Sequence, residues 1–120
     1  MQAHPTIIVV DDNAGNRLLP GLILRPLGFQ VLECASGQEA VALMAKTRVV
    51  AVLLDIDMPS LNCLAMLPAI KQSQQTQPME VIACTANASP KEAQNLMVRG
   101  FDGVLLKPIK SSDLVKILIK

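Results

Sequence analysis

Val50-Ala51-Val52-Leu53-Leu54-Asp55-Ile56-Asp57-Met58-Pro59 is the stretch that decides how this chain is read. From Val49 to Leu54 every residue is apolar, and the run stops at an acid followed by the turn-forming pair Met58-Pro59. A strand covered on both faces reads as a continuous apolar run; a half-exposed strand alternates. The segment is therefore expected to be an inner strand of a parallel sheet. Its first carboxylate, Asp55, falls at the strand's carboxyl end, where open α/β sheets place their ligands.

Working outward, the same grammar repeats. Thr6 to Val10 is a β-branched run ending in Asp11 and Asp12. Leu18, Leu19, Leu22, Ile23 and Leu27 recur at helical steps, which predicts a helix from about Ala14 to Leu27. Pro20 falls inside it and is expected to kink it, unless the helix starts later; Pro26 and Gly28 mark its end. Phe29 to Glu33 is shorter and more polar, as an edge strand often is. Ser36 with Glu39, and Ser89 with Glu92, have capping-box spacing and open two further helices, the first ending near Lys46 and the second at Gly100. Pro90 sits at a first helical position, where its missing N–H is not needed. Asn62 is a candidate cap for a helix through Leu64, Leu67 and Ile70, interrupted by Pro68. A polar connector from Gln72 to Pro78 leads to a strand, Glu80 to Cys84, that ends in Thr85. Gly103 to Leu106 is a last strand, followed by Lys107-Pro108, and Ser111 or Ser112 caps a final helix to Ile119. Strands alternating with helices imply a parallel sheet with helices on both faces. The expected fold is α/β and flavodoxin-like: a doubly wound five-stranded parallel sheet, order 2-1-3-4-5, with five helices.

Composition narrows the function. At 120 residues a single domain is expected. Apolar residues make up 51% and aromatic ones 2%, so the core is aliphatic. A net charge of +1 with no Trp or Tyr argues against direct nucleic-acid binding. No apolar run reaches the ~18 residues of a membrane span, and Met1 to Thr6 lacks the pattern of a secretory signal. Cys34, Cys63 and Cys84 are odd in number and widely spaced, which reads as reduced thiols in a cytoplasmic protein. Met44, Met66, Met79 and Met97 read as core filler, and His4 as a terminal residue without a role.

The residues just after the strands carry the chemistry. They are Asp11 and Asp12, then Asp55, Thr85 and Lys107. In a parallel sheet all lie on one edge, with neighbouring strands ~4.8 Å apart. Crowded carboxylates stay ionised together only beside a cation. Mg²⁺ suits such a site, since it takes one or two carboxylates together with waters and a phosphate oxygen. Thr85 and Lys107 can hold the remaining oxygens of a phosphoryl group at Asp55, and carboxylates do act as phosphoryl acceptors.

These residues resemble the receiver domain of two-component signalling. The likeness runs from about Thr6 to Ile119 and rests on Val9-Val10-Asp11-Asp12, Leu53 to Pro59, Thr85-Ala86 and Lys107-Pro108. The stretches Asp11 to Arg17 and Ala83 to Ala88 are most similar to receivers of hybrid histidine kinases and phosphorelays. The resemblance implies that Asp55 accepts a phosphoryl group from a phosphohistidine on a histidine kinase or histidine phosphotransfer domain. It implies Mg²⁺, with Mn²⁺ as an alternative, held directly by Asp12 and Asp55 and by the backbone carbonyl of Asp57, with Asp11 acting through a metal-bound water. Asp57 otherwise reads as a loop residue with only its carbonyl in use, the alternative being a side chain that influences how water reaches the phosphate. Thr85 and Lys107 would hold the phosphoryl oxygens, Thr85 moving inward, and Pro108 would follow a cis peptide bond. A weak homodimer through the fourth and fifth helices is common in such domains.

Some positions depart from the family's pattern. Val104 stands where an aromatic switch residue is usual, Cys63 where a loop glycine is common, and Pro20 and Pro68 interrupt helices usually unbroken. Two other readings compete. A pseudo-receiver would serve only as an interaction module. Asp55-Ile56-Asp57 is also similar to the nucleophile motif of haloacid-dehalogenase-type phosphatases, but that family places it after the first strand and needs more chain.

Overall fold

The computed structural model describes residues 5–57, 63–73, 79–87 and 89–118, except the side chains of 63–65. In chain order the elements are β1 (Thr6–Val10), α1 (Ala14–Leu24), β2 (Gln30–Cys34), α2 (Gly37–Met44), β3 (Ala51–Asp55), α3 (Cys63–Gln72), β4 (Glu80–Thr85), α4 (Pro90–Arg99), β5 (Gly103–Leu106) and α5 (Ser111–Leu118). The strands form a parallel sheet in the order β2-β1-β3-β4-β5, as the alternation of apolar runs requires.

Residue parity sorts the core into two layers. Ile8, Val10, Val52, Leu54, Val81 and Ala83 face α2, α3 and α4, where they meet Ala40, Met44, Leu67, Ile70 and Leu96. Ile7, Val9, Ala51, Leu53, Ile82 and Cys84 face the other way, against Leu24 of α1 and Leu114 of α5. Every residue of β1 and β3 is buried. Each fully buried Val, Leu or Ile contributes ~1.5–3 kcal/mol of transfer free energy, so these two strands anchor the rim that follows them.

Local chemistry sets the boundaries. The Asn13 side chain caps α1 by accepting from Asn16 N–H, Ser36 caps α2 through Glu39 N–H, and Ser89 caps α4 through Glu92 N–H. Gly100 ends α4 at φ +117°, a conformation that favours glycine. The helix through Pro20 starts at Ala14 and runs unbroken to Leu24; Arg25–Leu27 then tightens into a turn of 3₁₀ helix containing Pro26. Pro68 likewise sits within α3. β3 begins at Ala51, two residues later than the apolar run, and β2 is displaced by one residue to end at Cys34. Ser111 and Ser112 lie inside the first turn of α5, so neither precedes it as a cap. Met97 is 48% exposed and is not core filler, whereas Met44 is buried. The Met58-Pro59 turn, the Asn62 cap and His4 lie outside the described residues, as does the Cys63 side chain.

Candidate functional site

The strand registers build the site before any side chain is considered. Val10 is level with Leu54, so Asp11 and Asp55 leave the sheet side by side. Asp55 is level with Cys84, and Thr85 with Leu106, so Thr85 and Lys107 stand progressively further out along the same edge. Asp11 and Asp55 share the parity of Val9 and Leu53 and point toward the α1 side.

Asp11 and Asp55 are almost wholly buried, at 5% and 4% exposure, and Thr85 is buried as well. Asp12 is exposed. One carboxylate oxygen from each of Asp11, Asp12 and Asp55 lies within 4.8 Å of the others. Lys107 Nζ donates to Asp55 Oδ1 at 2.6 Å, with Asp57 Oδ2 at 3.7 Å and Asp11 Oδ2 at 3.9 Å. Desolvation works against the ammonium, but its hydrogen bond to Asp55 and the charges of Asp55, Asp11 and Asp57 outweigh that, and its pKa is raised. Asp11 is raised too, first by burial and then by the charge of Asp55; the Asn13 N–H and Lys107 oppose the shift. A hard, oxygen-only donor set with an excess of negative charge fits Mg²⁺.

Two local bonds shape the loops. Asp11 Oδ1 accepts from Asn13 N–H, and Asp55 Oδ1 from Asp57 N–H, both at 2.9 Å. Each acid thus folds the chain behind it into a tight turn. The Lys107-Pro108 peptide is cis, as the resemblance implies. All the acids, the hydroxyl and the lysine picked out by sequence come together here. Val104 does not: it is half-buried and packs against the α2–α4 layer.

Sequence reasoning missed two participants, Arg17 and a cavity walled by α1, and the partners of a third, Asp57. The Asp57 side chain is engaged: Oδ2 accepts from Ala86 N–H at 2.7 Å and Oδ1 from the Thr85 hydroxyl at 3.3 Å. Arg17 donates to the backbone carbonyl of Asp11 at 2.7 Å and pairs with Glu33 of β2 at 3.5 Å. A cavity of about 120 Å³ opens beside Asp55 and Lys107, walled by Leu19 and Pro20 of α1 with Leu53 and Ile109. Arg17 left a trace in the sequence, four residues past the Asn13 cap of α1, on the side of the acidic loop.

The comparisons with known proteins agree with this geometry. The family profile described as "Response regulator receiver domain" matches residues 7–119. The chain is 30% identical over 119 residues to the sensor histidine kinase GacS of Pseudomonas protegens; the match covers 97% of this chain but 13% of that protein. Among solved structures, chemotaxis protein CheY4 of Vibrio cholerae superposes with a TM-score of 0.85 at 28% identity, covering 97% of each chain. The receiver domain of a sensor histidine kinase from Pseudomonas aeruginosa PAO1, solved with a magnesium ion coordinated in its active-site cleft, gives a TM-score of 0.76 at 31% identity, covering 97% of this chain and 95% of that one. With strand order, acidic rim and family profile in agreement, the chain belongs to the response regulator receiver domains of two-component signalling.

Proposed function

We infer that Asp55 is the phosphoryl acceptor of a single receiver domain working in the cytoplasm. A carboxylate oxygen of Asp55 attacks phosphorus, the P–N bond of a partner's phosphohistidine breaks, and the imidazole leaves. The partner would be a histidine kinase or a histidine phosphotransfer domain. Asp12 and Asp55, with the Asp57 carbonyl, would hold Mg²⁺, and Asp11 would orient a water on it. When bound, the ion neutralises charge on a phosphoryl oxygen. Lys107 and Thr85 would take the other oxygens. The observation that carries this reading is the buried Asp55 carboxylate, held 2.6 Å from Lys107 beside two further acids.

Two features support output by transfer. Val104 supplies no aromatic ring to move. On α1, beside the acidic loop, Leu18 is 50% and Leu22 62% exposed, with Leu19 between them in sequence, an apolar face suited to a helical partner that brings a histidine to Asp55.

The test uses acetyl phosphate and Mg²⁺, with the intact protein weighed before and after. The bond from phosphorus to the acetate oxygen breaks as the bond to Asp55 forms. One added phosphoryl group, lost in Asp55→Ala, is expected. A folded protein that takes up none would overturn the reading.

A further inference from the structure

The scheme above uses only the backbone carbonyl of Asp57, yet its side chain meets three donors. Ala86 N–H donates to Oδ2 at 2.7 Å, the Thr85 hydroxyl to Oδ1 at 3.3 Å, and Lys107 Nζ stands 3.7 Å from Oδ2. A hydroxyl, a backbone N–H and an ammonium around one anion form the donor set that the oxygens of an aspartyl phosphate need. Thr85 and Lys107 are the residues already assigned to those oxygens. The chain is built to deliver Asp57 there: its own N–H donates to Asp55 Oδ1, and the resulting turn swings the second carboxylate over the mouth of the site. The Asp57 side chain is 40% exposed, so it stands at the edge of solvent, and hydration can replace the bonds it gives up on leaving.

We propose that the Asp57 carboxylate is an internal stand-in for the phosphoryl group. It occupies the Thr85–Ala86–Lys107 cradle in the resting chain and is displaced when Asp55 is phosphorylated. The inference rests on Asp55 being the acceptor. Two anions do not share these donors, so the resting contacts of Asp57 oppose phosphoryl uptake. Their exchange also moves the β4–α4 connection, because the Thr85 hydroxyl accepts from Asn87 N–H at 3.1 Å and lies 3.2 Å from the Asn87 carbonyl oxygen. Asp57 is on this view a positioning residue that sets the threshold of the reaction.

The test compares the full chain with Asp57→Ala and Asp57→Asn, both of which keep the backbone carbonyl. Asn also keeps a neutral acceptor oxygen for Ala86. Two quantities are measured: hydrogen exchange at the Ala86 amide before and after phosphorylation, and the rate at which acetyl phosphate with Mg²⁺ adds a phosphoryl group by intact mass. In resting Asp57→Ala the Ala86 amide should exchange at least tenfold faster than wild type, with Asp57→Asn close to wild type. Once phosphorylated, Asp57→Ala should regain the Ala86 protection of phosphorylated wild type. Its phosphoryl uptake should be several-fold faster, with Asp57→Asn between. Unchanged Ala86 exchange, or uptake no faster than wild type, overturns the stand-in while leaving Asp55 as acceptor. A wild-type chain that takes up no phosphoryl group overturns both.

Discussion

Lys107 Nζ reaches across β4 to stand 2.6 Å from Asp55 Oδ1 on β3. This contact offsets the crowding of carboxylates at the rim. Removing one partner of a buried ion pair costs ~3–5 kcal/mol. Lys107 keeps 21% side-chain exposure, and solvent screens part of that. Lys107→Met is therefore expected to lose about 2 kcal/mol in urea unfolding at pH 7 and to slow phosphoryl uptake at least a hundredfold. Because the lysine's pKa is raised, its contribution is fully present below its ordinary value of 10.5 and is lost as the pH climbs through the raised one.

Asp11 predicts how the protein responds to metal. Its raised pKa means that the folded chain holds this proton more tightly than the unfolded chain does. The resulting stability is fully present below 3.8 and is lost as the pH rises through the raised value, so at neutral pH the metal-free rim carries a cost. Mg²⁺ at ten times its Kd should add ~1.4 kcal/mol, about 5 °C in Tm. Calorimetry with Mg²⁺ and with EDTA checks this. Asp12→Ala should abolish the shift, and Asp11→Asn should raise the Tm of the metal-free protein.

The α1 face should separate protein donors from small ones. Leu18 and Leu22 are exposed, so Leu18→Asp with Leu22→Asp should leave the unfolding free energy within about 1 kcal/mol of wild type. Transfer from a phosphohistidine protein should fall at least tenfold. Uptake from acetyl phosphate, which docks on no helix, should change less than twofold. Equal losses with both donors would remove α1 from the docking surface.

The buried thiols give a stability signature in alkali. Burial pushes Cys34 up to about 11 and Cys84 up to about 12, from an ordinary 9.0; Glu39 adds to the first shift and Asp55 to the second. The unfolded chain ionises these thiols near 9.0 while the folded chain keeps them protonated. Stability is therefore fully present below pH 9.0 and falls as the pH rises toward 11 and 12. The urea midpoint should drop between pH 8 and pH 10, and less so in Cys84→Ala after correction for its lower starting stability. Folded protein at pH 8 should resist alkylation at Cys84.

Sequence carried the fold because the apolar runs of β1 and β3 are buried on both faces, and no other element explains unbroken runs ending in acids. It carried Asp11, Asp12, Asp55, Thr85 and Lys107 because each stands at or just past the carboxyl end of a strand in a sheet whose order those runs imply. Asp57 was different. Its side-chain partners are Thr85 and Ala86, 28 and 29 residues away, and no local pattern announces that pairing. Strand ends shifted by a residue or two because ladder bonds, not hydrophobicity, define them: Val50 N–H bonds to Thr6 O, and the β3 ladder proper begins at Ala51. Met97 misled because α4 buries only Leu96 fully, leaving its apolar neighbours Met97 and Val98 outside.

Arg17 gives the sheet edge a voice in the chemistry. Its guanidinium ties the carbonyl of Asp11 to Glu33, and Glu33 also faces Arg25, which itself donates to Val31 O. The outermost strand, β2, is thereby harnessed to the acidic loop. A partner that adds a strand to β2, or a substitution that strips Glu33 of its charge, would tug on the Asp11 carbonyl through this harness. The margin of the sheet and the acidic loop are thus joined through a single guanidinium, anchored at both ends.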